Sequence, residues 1–160
     1  MKLMDQKGFS LVELMMVVAI VVIAAAVALP YLTRYTQNNN LRNAARAISG
    51  DFFEYKSRAI AEYKRYRITF DTANDNYTIE QCTATGATCA AYSTVDTKAM
   101  SGFGTGIDIT AAGFGGNPTI NFQTRGTTEA GSVTVQNSRG STATITTNIT
   151  GKTYVQYVIQ

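Results

Sequence analysis

The chain has 160 residues, a formal net charge of +3 and 45% hydrophobic residues. A chain of this length and composition has room for one modest globular core. The sequence contains no histidine and only two cysteines, which excludes Ser-His-Asp and Cys-His catalytic groups and leaves a four-ligand zinc site short of ligands. We therefore predict a protein that is not an enzyme and that holds no metal and no cofactor.

The first predicted element is an apolar helix near the N-terminus. Twenty uncharged residues separate Glu13 from Arg34. As a helix, the 21 residues from Phe9 to Leu29 would be roughly 32 Å long, which is enough to cross a bilayer. The sequence therefore predicts a membrane-spanning helix over residues 9–30.

The beginning of this helix carries a distinctive junction. It reads Lys7-Gly8-Phe9-Ser10-Leu11-Val12-Glu13-Leu14. Together with the short leader before it, the junction resembles the class III signal of type IV pilins and pseudopilins over residues 1–35. In that family a membrane-embedded prepilin peptidase cuts after the glycine and methylates the new amine. The resemblance implies a leader over residues 1–8, cleavage between Gly8 and Phe9, and N-methylation of Phe9.

Two other interpretations of the apolar segment remain open, a plain transmembrane anchor and an ordinary secretory signal. Small residues at Ala24, Ala26 and Ala28 would suit the peptidase that removes such a signal. Export signals begin with a positive charge, however, and the side chains up to Glu13 sum to no net charge. The charge pattern therefore favours the pilin-type signal.

Glu13 is a single carboxylate at the start of an apolar span. Placing a carboxylate there costs about 2.5 to 3.5 kcal/mol on insertion scales, so it should be paired or functional. By the family resemblance, Glu13 meets the Phe9 amine of a neighbouring subunit during assembly. The alternative is an interfacial side chain that reaches the lipid headgroups and suits the positive end of the helix dipole.

Pro30 lies at the far end of the apolar run. Inside a helix it removes one backbone hydrogen bond at a cost of about 3 kcal/mol, so we expect a kink or local melting. Filaments of the resembling family often lose helix near a proline at this place. A simple kink where the helix leaves the membrane is the alternative.

The next predicted element is an amphipathic helix over residues 31–63. Apolar residues recur there at spacings of three and four, which places them on one face. They are Leu41, Ala45, Ile48, Phe52, Tyr55, Ala59 and Tyr63. This face needs a cover, and we predict that a sheet from the rest of the chain provides it.

Residues 64–160 are rich in Thr and Gly and contain short alternating runs separated by turn signals, which predict a β-rich head. The predicted strands are Arg65 to Phe70, Tyr77 to Gln81, Thr119 to Gln123, Ser132 to Asn137, Thr142 to Asn148 and Lys152 to Ile159. Gly102, Gly104 and Gly106 are interpreted as a flexible loop. The predicted fold is α+β, a long N-terminal helix packed on an antiparallel sheet, which is the pilin fold.

The C-terminal part of the chain makes the family resemblance more specific. Three segments, Phe122-Gln123-Thr124-Arg125-Gly126, Gly131-Ser132-Val133-Thr134-Val135 and Thr150-Gly151-Lys152, resemble the β-domain of H-type minor pseudopilins and FimT-like minor pilins. One departure concerns the last turn. The family usually has Gly-Arg there, and DNA-binding members carry further arginine, whereas this chain has Gly151-Lys152 followed by Thr153 and Tyr154.

Cys82 and Cys89 would close a short loop in the part of the chain outside the cytoplasm. In an oxidising compartment the natural expectation is a disulfide between them. Such a loop would gain roughly 2 to 3 kcal/mol by the chain-entropy model.

The charges are unevenly distributed along the chain. The segment from Arg34 to Arg67 holds eight basic and three acidic residues, and the segment from Ile68 to Gln160 holds four and six. One hypothesis is that Arg42, Arg46 and Arg58 lie against acidic head residues of adjoining subunits, where complementary charge fixes register. A solvated helix face is the alternative.

These observations favour a structural subunit, of minor type, of a type IV pilus or a type II secretion pseudopilus. The resemblance implies as partners the prepilin peptidase, other pilin or pseudopilin subunits, an inner-membrane assembly platform, and membrane lipid before assembly. It implies a single-pass protein of the cytoplasmic membrane with its head outside the cytoplasm, and later an extracellular pilus or periplasmic pseudopilus. The alternatives are a major pilin, a secreted soluble β protein, and a pilus-borne DNA receptor, although the acidic head disfavours nucleic acid as a partner.

Overall fold

The structure, a computed structural model, describes residues 10–160. The leader and the predicted cleavage site at Gly8 and Phe9 lie outside the described residues. By compactness the chain divides into two units, Met1–Thr36 and Gln37–Gln160. The first contains the apolar segment and the second contains the head.

One long helix, α1, spans Leu11–Ala61. The residues on both sides of Pro30 are helical, so the structure shows no local melting there. The predicted end at Tyr63 is wrong by two residues. Tyr63 has a φ of 52°, which is left-handed backbone that no helix continues, and its side chain is 58% exposed. Tyr63 is therefore not part of the buried face.

The head contains two antiparallel four-stranded sheets within the described residues. The first sheet has the order β3-β2-β1-β5, with β1 Lys64–Asp71, β2 Asn76–Thr85, β3 Tyr92–Ala99 and β5 Thr119–Phe122. The second has the order β4-β6-β7-β8, with β4 Ile107–Phe114, β6 Gly131–Asn137, β7 Thr142–Thr147 and β8 Thr153–Val158. A short 3-10 helix, Met100–Phe103, precedes β4.

All six predicted strands are present, with ends shifted by a few residues, but β3 and β4 were missed. β3 is an edge strand whose residues are almost all exposed, so it shows no alternation of buried apolar side chains. β4 contains Ala111-Ala112-Gly113 before its last residue, Phe114, and these three residues have little β propensity. These two segments form strands because their backbones pair with β2 and β6.

Phe52 of α1 lies where the helix meets both sheets. Its ring centroid is 6.1 Å from Phe70 on β1, 5.9 Å from Phe114 on β4 and 6.0 Å from Phe122 on β5. Edge and tilted aromatic contacts of this kind add about 0.5 to 1.5 kcal/mol beyond burial. The predicted apolar face of α1 is thus covered, and both sheets take part in covering it.

The glycine-rich segment before β4, which we expected to be a flexible loop, contains one short 3-10 helix and one close approach to α1. Gly102 lies in the 3-10 helix. Gly104 has a φ of 135°, and a Cβ placed on it would clash with the side chain of Asn40 on α1. A glycine is needed there because a side chain has neither the space nor the backbone conformation.

Candidate functional site

Ser10 and Glu13 together begin α1. The backbone N–H of Glu13 donates to Oγ of Ser10 over 3.1 Å. Ser10 precedes the first helical residue, so this is the N-cap half of a capping box, in which a serine is followed three residues later by a glutamate. The spacing is readable from the sequence, although our sequence analysis did not use it. The Glu13 carboxylate sits in the first turn, where the helix dipole favours a negative charge.

The apolar part of α1 has no cover within the described chain. Every residue from Ser10 to Thr36 is exposed. An 18-residue window of α1 has a mean hydropathy of 2.8, and none of that window is buried. By length and composition α1 can therefore cross a membrane, although a signal sequence would have the same properties. A surface this apolar needs lipid or other helices around it.

Pro30 lies within this exposed part of α1. It has no N–H to donate to the carbonyl of Ala26, so one helical hydrogen bond is missing there. Three residues further on, the Thr33 hydroxyl donates to the carbonyl of Leu29 over 3.0 Å. The helix thus contains a weakened turn next to a side chain that can satisfy a backbone carbonyl.

Cys82 and Cys89 form a disulfide. Cys82 is buried on β2, and Cys89 lies in the exposed connection to β3. The bond ties this connection to the first sheet. Within residues 10–160 no group of His, Cys, Asp or Glu side chains could hold a metal ion.

The side of α1 that faces the first sheet carries acidic anchors. Asp51 is buried, and its carboxylate accepts hydrogen bonds from the Tyr77 hydroxyl at 2.6 Å and from Nζ of Lys98 at 2.8 Å. Burial and the hydrogen bond to Asp51 raise the pKa of Tyr77. Burial lowers the pKa of Lys98, but the hydrogen bond and charge of Asp51 outweigh burial, so the net shift is upward.

Glu62 is a second anchor, just past the end of α1. It accepts hydrogen bonds from the Tyr66 hydroxyl at 2.6 Å, from Nε of Arg58 at 2.9 Å and from Nε2 of Gln81 at 3.1 Å. The hydrogen bonds from Tyr66 and Arg58 lower the pKa of Glu62. Burial and the hydrogen bond to Glu62 raise the pKa of Tyr66 to about 12.

The side of α1 that faces the second sheet carries amide and cationic anchors. Nζ of Lys56 donates to the carbonyl of Thr150, in the turn between β7 and β8, over 2.8 Å. The Arg42 guanidinium lies 5.7 Å from the ring centre of Tyr157 on β8. Asn38 accepts a hydrogen bond from the buried Asn137 over 2.9 Å. The two sides of α1 therefore differ in charge as well as in neighbours.

This arrangement bears on the three arginines that we expected to face adjoining subunits. Arg58 is engaged within its own chain, because it pairs with Glu62 at 2.9 Å and lies 5.2 Å from the ring centre of Tyr66. Arg42 and Arg46 are exposed. Arg58 therefore already has partners within its own chain, and the hypothesis that Arg42, Arg46 and Arg58 lie against acidic residues of adjoining subunits stays a prediction.

Sequence reasoning missed Asp51 and Asn137 as anchors of the head. Asp51 falls on the apolar face between Ile48 and Phe52, and a lone acid there signals a buried partner. Asn137 is the last residue of β6 and stands next to a predicted turn. Its side chain accepts backbone hydrogen bonds from Arg139 and Ser141, each over 3.0 Å, a role that the sequence does not distinguish from ordinary turn chemistry.

Comparison with known proteins adds two findings. The family described as "Prokaryotic N-terminal methylation motif" matches residues 3–29. No curated protein sequence matches the chain.

Solved structures are similar in fold. The minor pseudopilin EpsH from the type 2 secretion system of Vibrio cholerae has a TM-score of 0.60 and 10% identity, over 74% of this chain and 97% of that one. The type IV minor pilin FimU of Pseudomonas aeruginosa has a TM-score of 0.54 and 16% identity, over 76% and 92%. At such identities the likeness establishes the fold alone.

Proposed function

We propose that this chain, a type IV pilin or pseudopilin by its N-terminal motif and its fold, is a minor structural subunit of a type IV pilus or a type II secretion pseudopilus. One observation carries the proposal. The methylation motif over residues 3–29 leads directly into a helix whose apolar surface is exposed from Ser10 to Thr36. Pilins and pseudopilins are structural subunits and not enzymes, in line with the prediction from the residue composition.

The proposed function involves processing, membrane insertion and assembly. A prepilin peptidase removes the leader over residues 1–8 and methylates Phe9, and membrane lipid surrounds the apolar segment over residues 9–30. An inner-membrane assembly platform then transfers this segment into a bundle with the helices of other subunits. The amphipathic segment over residues 31–63 and the head over residues 64–160 cover that bundle.

The head would lie outside the cytoplasm of the cell. The disulfide between Cys82 and Cys89 supports this side of the membrane, since such bonds persist in oxidising compartments. The final location would be an extracellular pilus or a periplasmic pseudopilus.

Glu13 and Pro30 have proposed roles in assembly. The Glu13 carboxylate would pair with the methylated Phe9 amine of a neighbouring subunit, and a low dielectric strengthens that attraction. Pro30 removes one helical hydrogen bond, so the helix can open locally around it when the subunit is packed in a filament.

The test is mass spectrometry of the mature N-terminus after expression with a prepilin peptidase. We expect a chain that begins with N-methylated Phe9, and a Gly8→Val variant that keeps its leader. Gly50→Ala is the matched control, because Gly50 has no atom within 4 Å of an added Cβ. A mature chain that begins near Leu29 would instead identify a secretory signal and end the proposal.

A further inference from the structure

The outer edge of β8 has no partner strand among residues 10–160. β8 is the last strand of its sheet and pairs only with β7, from Thr153 to Val158. Backbone N–H and C=O groups on such an edge are available to another extended chain. Natural edge strands are usually protected by charge, proline or a bulge, but β8 reads Thr-Tyr-Val-Gln-Tyr-Val. β3, one of the two edge strands of the other sheet, carries Asp96 and Lys98.

Apolar and aromatic side chains flank this open edge. Phe53 on α1 is 74% exposed, and Tyr154 and Val158 on β8 are 48% and 62% exposed. Beside them a groove of about 340 Å³ runs between α1 and the start of β8. It is lined by Ser49, Phe53, Lys56, Gly151, Lys152 and Thr153. We call the β8 edge and this groove the β8 surface.

The charge around the β8 surface is positive. On α1, Arg42, Arg46 and Lys56 recur with Ser49 and Phe53 at helical spacings on one face. Lys152 stands at the start of β8 and lies 5.0 Å from the ring centre of Tyr154.

Acidic side chains lie elsewhere. The sequence has no Asp or Glu after Glu129. The acidic anchors Asp51 and Glu62 contact residues of the first sheet and not of the second. Negative charge near the β8 surface is therefore scarce for reasons of both sequence and fold.

We propose that the β8 surface docks an extended acidic segment of a partner protein, which adds to the second sheet as a fifth strand. Backbone hydrogen bonds would supply affinity, and exposed Phe53, on the α1 side of the sheet, would contact the apolar side chains of the segment, which share one face because successive side chains alternate. Lys56 and Lys152 would select acidic residues by complementary charge. This interaction goes beyond the proposed filament function, because it does not use the apolar segment over residues 9–30.

A polypeptide fits the β8 surface better than a nucleic acid does. A strand edge offers alternating donors and acceptors that match another strand, whereas nucleic acid needs a dense array of cations along its phosphates. The segment from Ile68 to Gln160 has four basic and six acidic residues, which is not such an array.

The test uses the full chain in detergent micelles and a fluorescent peptide in which Glu and Val alternate. We expect saturable binding in fluorescence anisotropy and slower amide hydrogen exchange over residues 153–158. A peptide in which Lys and Val alternate should bind at least tenfold more weakly, because its charge is of the wrong sign. The Glu-Val peptide with N-methylated backbone amides should be weakened by as much, because it cannot donate backbone hydrogen bonds to the edge of β8.

Two charge reversals of equal size locate the site. Lys152→Glu should weaken binding about fivefold, the scale of one exposed ion pair, whereas Lys64→Glu on β1 should leave binding unchanged. An equal effect of both variants, unchanged exchange over β8, or absence of binding would overturn the proposal. So would tighter binding of a single-stranded oligonucleotide, or self-association of the chain through β8 that the peptide fails to compete with.

Discussion

Glu13 and Asp51, two of the three acids of α1, differ in their surroundings. Glu13 is exposed at the start of an apolar helix, with its backbone N–H bonded to Ser10. Asp51 is buried and holds Tyr77 and Lys98 from two strands of the first sheet. An acid without a side-chain partner among residues 10–160 is available for another molecule, and a fully bonded one stabilises its own fold.

We expect Glu13→Gln to insert in the membrane and to be processed, but to fail to enter filaments. The backbone hydrogen bond to Ser10 survives the change, so the helix start is kept and only the negative charge is lost. Filament content can be measured by immunoblotting of sheared or purified filaments. Ser10→Ala, which weakens the cap by about 1 kcal/mol and keeps the carboxylate, is the control. Normal incorporation of Glu13→Gln would contradict the proposed pairing.

Asp51→Ala should lower the free energy of unfolding by about 3 kcal/mol, because it leaves the buried Tyr77 hydroxyl and the Lys98 ammonium without their partner. Asp96→Ala on β3 removes an exposed carboxylate from the same sheet and should change stability by less than about 0.5 kcal/mol. Urea denaturation followed by circular dichroism measures both. Equal effects would mean that the Asp51 cluster contributes nothing specific.

The hydrogen bonds of Glu62 predict that the protein loses folding stability in acid. Hydrogen bonds from Tyr66 and Arg58 lower the pKa of Glu62 below the ordinary value of 4.5, so its contribution is complete above pH 4.5 and is lost as the pH falls through the folded-state pKa. The melting temperature of the wild-type chain should therefore exceed that of Glu62→Gln at pH 6 and approach it as the pH falls well below 4.5. A difference that stays constant across this range would contradict the assignment.

At the scale of elements, the two sides of α1 explain how one helix holds two sheets. The side with Asp51 and Glu62 bonds to β1, β2 and β3. The other side reaches the second sheet through Lys56 and the carbonyl of Thr150. Turns of the head also approach α1 closely, and Gly104 is one such place. Close approach of backbone to a helix limits which residues a turn can hold.

Gly104→Ala should destabilise the head by about 1 to 3 kcal/mol, because φ is positive there and the new Cβ would meet Asn40. Gly102→Ala is a control two residues away, since nothing lies within 4 Å of its Cβ position. Thermal unfolding of the two variants under the same conditions gives the comparison. Similar melting temperatures for both would indicate that this segment is as flexible as the sequence analysis expected.

At the scale of the whole molecule, burial is confined to the head. Every buried residue of the described chain lies between Leu41 and Thr147, inside the unit Gln37–Gln160. Residues 10–36, the described part of the first unit, contribute none. The head therefore has its own core, and the apolar segment depends on lipid or on other subunits for cover.

Removal of residues 1–36 should leave a soluble, monomeric head that unfolds cooperatively, whereas the full chain should require detergent. The reason is that none of residues 10–36 is buried. Gel filtration and thermal unfolding measure the two properties. Ile48→Ala in the truncated chain should cost about 3 kcal/mol, which tests whether the core is native. Aggregation of the truncated chain would show that the head needs the removed segment.

The sequence by itself determined the features that depend on local order along the chain. The apolar run before Arg34, the helical spacing from Leu41 to Ala59 and the turns around Asn74 and Gly140 each follow from neighbouring residues. The N-terminal motif and the α+β fold are predictable for the same reason. The positions of strand ends were less accurate, because pairing partners and not propensity decide where a strand stops.

Only the tertiary structure decided what depends on neighbours distant in sequence. β3 and β4 lack a local strand pattern and exist because β2 and β6 pair with them. In the sequence Asp51 interrupts an apolar helix face, and only the structure shows that Tyr77 and Lys98 are its partners. The sequence of β8 resembles that of other strands, and only the strand order shows that β8 lies at the edge of its sheet. Burial, charge pairing and edge position arise from long-range packing, which no local pattern contains.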